Sequence, residues 1–333
     1  MNRILFILLM FLPVYIKAQE SPATLSKRLT ANCLSDKEKV SVLFRWVADS
    51  ISYRIRGAKV RTSSVSIKKE KSNTVVKLSD SINKSPIKPL NERVSEDVLR
   101  NRLAVCDGYT RLFKTLCDYA GIRCEIISGY GRTDDNKPNA RFGVNHNWNA
   151  VWLDSSWHLA DVTWASGYVT ESGDRFINSF DSTYFLTPPE DFIKDHFPDD
   201  PRWTLLPDNY VPGEFAYSPF KQKAYTKYPI SAFWPKKGII DASCGDTIRL
   251  SIISKYEKGR VISPDLIADT SWRKYLPASV FLKPARSKII NSSSQLIEFD
   301  YSVTNPSIKW LFLVYNDDLL VRYKINIKMN IRH

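Results

Sequence analysis

The sequence predicts an α+β fold in which a helix headed by a cysteine packs on an antiparallel sheet, followed by a C-terminal β-sandwich. Three observations carry this expectation. Apolar residues recur at helical spacing twice, at Val40, Leu43, Phe44, Val47 and Ile51, then at Tyr109, Leu112, Phe113, Leu116 and Ala120. Two apolar stretches, His146 to Leu153 and Ser156 to Trp164, flank the turn pair Asp154-Ser155 and read as a hairpin. From about Pro219 the chain changes to short alternating runs such as Thr247–Ile253, Leu296–Tyr301 and Lys309–Tyr315, the pattern of a small antiparallel sandwich. With 333 residues, 43% of them hydrophobic, the chain is long enough for two cores rather than one.

Taken in order, residues 1–18 read as a signal peptide. Arg3 gives a positive start, Ile4 to Ile16 is apolar apart from Pro13 and Tyr15, and Ala18 is a small residue at a plausible cut. That run is shorter than the ~20 residues a membrane-spanning helix needs. The expectation is therefore an exported protein, periplasmic or extracellular, without a membrane span. Residues 19–56 form the N-terminal helical part of the core. In it Ser35-Asp36-Lys37-Glu38 fits a capping box, and the helix it opens should end near Ser52. Residues 57–93 hold Lys59, Arg61, Lys68, Lys69, Lys71 and further basic residues among serines, and are expected to be a mobile basic insertion.

Residues 94–215 should carry the chemistry, and 216–333 the sandwich. A short helix is expected from Ser95 to Arg102, leading to Cys106. The longer helix beyond Cys106 should close at Gly121, where a C-terminal cap needs a left-handed residue. A strand from Arg123 to Ser128, a glycine turn at Gly129 and Gly131, and a polar loop through Asn139 precede the hairpin.

The formal charge of +13, from 48 basic and 35 acidic residues, suits an anionic lipid or acidic wall polymer as a neighbour. No basic stripe interleaved with aromatics is present, so nucleic acid is not expected as a partner. The cysteines are Cys33, Cys106, Cys117, Cys124 and Cys244, an odd set that leaves at least one sulfur unpaired within the chain. No CxxC or Cys/His cluster has metal spacing, and neither a metal nor another cofactor is expected.

Cys106 stands at the start of its helix, where free backbone N–H groups and the helix dipole stabilise a thiolate. Asp107 works weakly against that. His146 opens a strand between Asn145 and Asn147. With a two-residue turn at Asp154-Ser155, Trp148 faces Asp161 across the hairpin, and His146 lies two residues along on the same face. Asp161 is then diagonal to His146 and within side-chain reach. This arrangement fits nucleophilic catalysis: Asp161 orients the imidazole, His146 moves the proton and Cys106 attacks a carbonyl. Trp148, Trp152, Trp157 and Trp164 are expected to pack the hairpin against the Cys106 helix. His158 should point away from His146, and His196 reads as a packing or hydrogen-bonding residue.

Several stretches together resemble the transglutaminase-like superfamily of papain-like cysteine peptidase fold, in particular the bacterial branch similar to the kyphoscoliosis peptidase. They are Ala104-Val105-Cys106-Asp107-Gly108-Tyr109, Cys117-Asp118-Tyr119-Ala120-Gly121-Ile122 and Ser128-Gly129-Tyr130-Gly131. His146-Asn147-Trp148-Asn149-Ala150-Val151 and Trp157-His158-Leu159-Ala160-Asp161-Val162-Thr163-Trp164 continue the series. Tyr184 to Pro189 and His196 to Pro201 resemble that branch's downstream segment. The resemblance implies Cys106 as nucleophile, His146 as base and Asp161 as its partner. Two positions depart from the pattern: Val162 where proline usually follows the aspartate, and Asn147 where a small residue is usual.

The expected function is acyl transfer at amide bonds through a thioester, on a protein or peptide substrate, with a cell-wall peptide among the candidates. Hydrolysis by a peptidase is favoured over transfer to an amine by a cross-linking transglutaminase. The alternative from another class is a non-catalytic binding or scaffold protein at the cell surface.

Overall fold

Ser35 starts its helix as a capping residue should, its Oγ accepting from the Glu38 amide at 3.2 Å. Glu38 reaches back one residue further than the box predicts, and its carboxylate accepts from the Leu34 amide at 2.6 Å. The computed structural model of the chain describes residues 20–55, 88–132, 142–207, 211–255 and 278–328. The expected signal peptide and most of the basic insertion lie outside these residues. The helical part runs α1 (Pro22–Thr30), α2 (Asp36–Ser50), β1 (Ser52–Tyr53), α3 (Leu90–Asn101), β2 (Leu103–Ala104) and α4 (Cys106–Tyr119). Helix α3 begins at Leu90 rather than Ser95, so the last residues assigned to the insertion, 90–93, are helical. Lys88 helps to fix that start through its ion pair with Glu96 at 2.5 Å.

Helix α4 is the centre of the first core, with Tyr109, Leu112, Phe113 and Leu116 buried against Val40, Leu43, Phe44 and Val47 of α2. Two features of the Cys-Asp-Gly-Tyr stretch fix where it begins. A Cβ on Gly108 would stand 2.7 Å from the Ala104 Cβ, so only glycine lets β2 and α3 approach the first turn. Tyr109 donates its hydroxyl to the Ile51 carbonyl at 2.6 Å. Gly121 ends the helix in the left-handed region at φ +77°, and the Ile122 amide closes on the Cys117 carbonyl at 2.9 Å.

The elements that follow are β3 (Cys124–Gly131), β4 (His146–Leu153), β5 (Ser156–Ala160), α5 (Val162–Ala165), β6 (Gly167–Val169), β7 (Phe176–Asn178), α6 (Pro189–Phe192) and β8 (His196–Pro198). Four of the strands form an antiparallel sheet in the order β5-β4-β3-β8, and β6 and β7 make a separate hairpin. The hairpin strand predicted to reach Trp164 stops at Ala160, because Asp161 turns the chain and caps α5 with its own carboxylate. The glycines at 129 and 131 form no turn. Strand β3 runs through both, since a Cβ at Gly129 would lie 2.3 Å from the Trp148 ring and 2.5 Å from the Phe197 carbonyl oxygen. These glycines mark close approach of neighbours.

The sheet face against α4 is filled by Cys124, Val151, Leu153 and Ala160. Trp148 belongs to the opposite face, with Ile127, Ala150, Leu159 and Phe192, and Trp157 packs there as well. Trp152 is part-exposed with its ring against Trp157, and Trp164 sits on α5. The tryptophans therefore do not pack the hairpin onto the cysteine helix as expected. Smaller side chains line that face and let α4 lie close.

The C-terminal strands are β9 (Phe220–Lys221), β10 (Ile230–Trp234), β11 (Ile239–Ser243), β12 (Thr247–Lys255), β13 (Ser279–Leu282), β14 (Arg286–Asn291), β15 (Ser294–Ser302), β16 (Trp310–Tyr315) and β17 (Asp318–Lys328). They form two sheets, β10-β12-β15-β14 and β11-β17-β16-β13, with β9 added on β17. Leu250, Ile252, Ile297 and Phe299 of the first face Leu311, Leu313, Val321 and Tyr323 of the second. The first sheet is antiparallel as expected. The second is mixed, because β11 and β13 join it in parallel.

Arg322 of β17 is buried, with its guanidinium 4.7 to 4.9 Å from the ring centres of Phe197, Phe220 and Trp310. Its Nη1 and Nη2 donate to the carbonyls of Asp199 and Pro198 at 2.9 and 3.0 Å. The last strand of the sandwich thus holds the end of β8.

Candidate active site

Asp154 and Ser155 take φ of +48° and +63°, the paired left-handed geometry of a tight two-residue hairpin turn. The register that follows, from Leu153↔Ser156 to Asn149↔Ala160, extends by one step to set Asp161 opposite Trp148 and diagonal to His146. His146 Nε2 lies 2.6 Å from Asp161 Oδ2. Nε2 is thereby engaged, so Nδ1 is the ring nitrogen left for a reacting group. Cys106 is near enough to act on the imidazole. Its thiol adds to the rise in the imidazole pKa.

The way α4 lies on the sheet brings its first turn level with the start of β4. The Asn149 amide donates to the Thr110 carbonyl at 3.2 Å, one helical turn past Cys106 and three residues past His146. Both elements start at the same end of the layer. Asp107, which opposes a thiolate through its charge, is matched by Arg111, whose Nε donates to Oδ2 at 2.8 Å.

Asp161 is fully buried and all of its acceptor capacity is directed. Oδ1 accepts from the Thr163 and Trp164 amides at 2.8 and 3.1 Å, the capping bonds of α5. Oδ2 takes His146 and, at 3.0 Å, the Nε2 of His196. Burial alone would raise this carboxyl. The charges and hydrogen bonds of His146 and His196 override it and hold Asp161 well below the usual carboxylate range. For His146, burial works toward a lower pKa. The Asp161 carboxylate, with Cys106 adding to it, overrides that and pushes His146 up to about 10.

His196 is the residue the sequence left without a partner. It is buried on β8, stacked on Phe192 with ring centres 4.1 Å apart and in contact with Trp164 at 4.4 Å. Its Nδ1 lies 2.5 Å from Asp195 Oδ1, and the Tyr184 hydroxyl donates to Asp195 Oδ2 at 3.1 Å. A chain of polar groups therefore runs from Tyr184 through Asp195 and His196 to Asp161. The proline-bracketed stretch from His196 to Pro201 was its one signal in the sequence. His158 lies on the other face of the hairpin, where its Nε2 is 3.0 Å from the Ser156 hydroxyl.

The two departures from the superfamily pattern are accommodated locally. Asn147 accepts from the Ser128 hydroxyl at 2.8 Å, its partner across the sheet. Val162 is buried at the first position of α5, a site that proline also fits because that amide has no place in the helical ladder. The ligand atoms of His146, Asp161 and His196 lie within 4.8 Å of one another, close enough to hold a divalent metal. In this structure they are hydrogen-bonded to each other.

Residues 23–162 match the family model described as the Transglutaminase-like superfamily. This stretch is similar to a transglutaminase-like domain. The chain is 32% identical to the kyphoscoliosis peptidase of Mus musculus over 201 residues, which is 60% of this chain and 26% of that protein. The Homo sapiens kyphoscoliosis peptidase is 31% identical over the same shares of the two chains. The chain spans about a quarter of the length of these curated relatives. A solved structure described as a TGase overlaps 49% of this chain and 34% of its own at 15% identity, with a TM-score of 0.27, too distant a likeness to carry an argument. The transglutaminase-like match covers Cys106, His146 and Asp161, and stops before His196. No helix among the described residues is long and apolar enough to cross a membrane.

Proposed function

We propose that this chain is an exported, cysteine-dependent acyl-transfer enzyme acting on amide bonds, with water as the favoured acceptor. One observation supports the reading above others: His146 stands between a buried carboxylate on one ring nitrogen and the Cys106 thiol. The Cys106 sulfur, its proton already passed to His146 Nδ1, attacks the carbonyl carbon as a thiolate. The tetrahedral adduct then releases the amine, which takes its proton from His146, and leaves a thioester on Cys106. Water attacks the thioester, giving its proton to His146, and the acid leaves as the thiolate and imidazolium are regenerated. Asp161 keeps the imidazole oriented and stabilises its charged form throughout. Export rests on the positive start and apolar run of the first eighteen residues. The similarity to peptidases and the absence of a clustered-carboxylate calcium pattern in the sequence favour hydrolysis over cross-linking.

The test is intact-mass labelling with a thiol-directed acyl electrophile, compared across wild type, Cys106→Ala and His146→Ala. Wild type should take one label quickly, Cys106→Ala none at that rate, and His146→Ala should be slowed by a factor on the order of a thousand. Equal labelling of wild type and His146→Ala refutes the enzyme. A non-catalytic scaffold would then be the reading.

A further inference from the structure

His146 is also part of the wall of a groove of about 810 Å³. The groove runs from the imidazole toward the strand that leads into the cysteine, because Tyr53, which lines it, pairs with Ala104 two residues before Cys106. A molecule lying in it therefore lies against the imidazole. Trp164 stacks on His146 with ring centres 5.2 Å apart and forms the inner wall. Tyr53 and Phe176, 6.3 Å apart, form the outer one. Phe180 lines the groove between them, and the β6–β7 hairpin adds Tyr168 and Val169, which are 59% and 38% exposed. Large apolar side chains left this open on a hairpin next to a reactive centre point to an occupant that covers them.

Besides His146, the charged residues in the lining are Arg132 and Asp181, and both already hold hydrogen-bond partners. Arg132 directs all three side-chain nitrogens away, Nε and Nη2 to Glu214 at 2.8 and 3.0 Å and Nη1 to the Lys194 carbonyl at 2.6 Å. Asp181 accepts from the amide and hydroxyl of Thr183. A charged side chain entering here loses water among rings, whereas an aromatic or branched one gains ring contacts.

We infer that this groove is the substrate subsite, and that it takes a peptide bearing an aromatic or bulky apolar, uncharged side chain next to the carbonyl that Cys106 attacks. The inference rests on the acyl-transfer reading and names its substrate class. A basic or acidic side chain at that place is selected against.

Protection of Cys106 from iodoacetamide, followed by peptide mapping on the whole purified chain, tests this without a known substrate. The probes are blocked tetrapeptides of glycine in which one position is phenylalanine, leucine, lysine or aspartate. The phenylalanine and leucine peptides should slow alkylation of Cys106, the former by about tenfold more than the lysine and aspartate peptides do. Phe176→Ala and, independently, Tyr168→Ala should lose most of that protection. Tyr217→Ala, which removes an equally exposed tyrosine outside the groove, should retain it. Equal protection by the charged peptides, or protection that survives both groove variants, overturns the inference. So does a lack of protection by every peptide while His146→Ala still slows alkylation, an outcome that leaves acyl transfer standing. Alkylation indifferent to His146→Ala instead removes the acyl-transfer reading, and the subsite with it.

Discussion

His146 and His196 converge on a single oxygen, their Nε2 atoms standing 2.6 and 3.0 Å from Asp161 Oδ2. The other oxygen is fixed by two backbone amides. A carboxylate held at both ends cannot rotate away from His146 without breaking bonds in a buried place, where each is worth more than in water.

His196 should accordingly act as a positioning residue for His146. His196→Phe keeps the stacked ring and removes the bond to Asp161. It should slow acylation of Cys106 by on the order of tenfold or more and alter its pH profile. His196→Gln, which can return an N–H to Oδ2, should recover part of the rate. Rates and pH profiles equal to wild type in both variants would show that the second histidine only fills space.

Stability should report the same ion pair. The raised His146 contributes fully below the free imidazole pKa of about 6.5, and loses its contribution as pH climbs through about 10. The depressed Asp161 contributes above the free carboxyl pKa of about 4, and loses its contribution as pH falls through its lowered value. The gap in urea midpoint between wild type and His146→Gln should be widest from about pH 4 to 6.5 and narrow steadily toward pH 10. A gap that widens between pH 7 and 10 contradicts the assignment.

Much of this was legible because the contacts involved are local. The capping serine, the helical spacing and the two-residue turn that aligns His146 with Asp161 each act within a hairpin or a few helical turns. His196 was not, since it lies 35 residues beyond Asp161 and arrives on a three-residue strand whose place beside β3 has no local signature. Gly129 and Gly131 misled for a related reason. A glycine marks either a turn or a close approach, and only the packed Trp148 and Phe197 decide which. The parallel pairings of the second C-terminal sheet likewise depend on how strands connect, which alternation along each strand does not encode.

Asp199 offers a separate pH signature. Burial lifts its carboxyl to about 7 against the pull of Arg322, and Oδ1 has no hydrogen-bond partner among the described residues. Folding therefore takes up a proton between about pH 4 and 7, and the stability owed to this group falls as pH rises through that window. Asp199→Asn should raise the urea midpoint at pH 8, by about 1–3 kcal/mol in unfolding free energy, and change it less at pH 5. A loss of stability at pH 8 would mean that the carboxylate is better paired than its surroundings indicate.

Gly129→Ala should destabilise by roughly 1–3 kcal/mol, because the new methyl meets the Trp148 ring and the Phe197 carbonyl within contact distance. It should also slow acylation of Cys106, since β8 carries His196. Gly213→Ala serves as the control, with nothing within 4 Å of its Cβ, and should stay within about 0.5 kcal/mol of wild type. Equal effects at the two positions would show that β3 and β8 separate easily.

Arg322 grips the carbonyl of Pro198 from 124 positions further along the chain. A ribosome that has released everything up to β16 has already made Cys106, His146, Asp161 and His196, but not the arginine that clamps the end of the histidine's strand. The growing chain therefore carries every reactive group before it carries the bolt that squares them. Full reactivity should begin only once β17 has joined the sheet, a built-in delay between making the thiol and arming it.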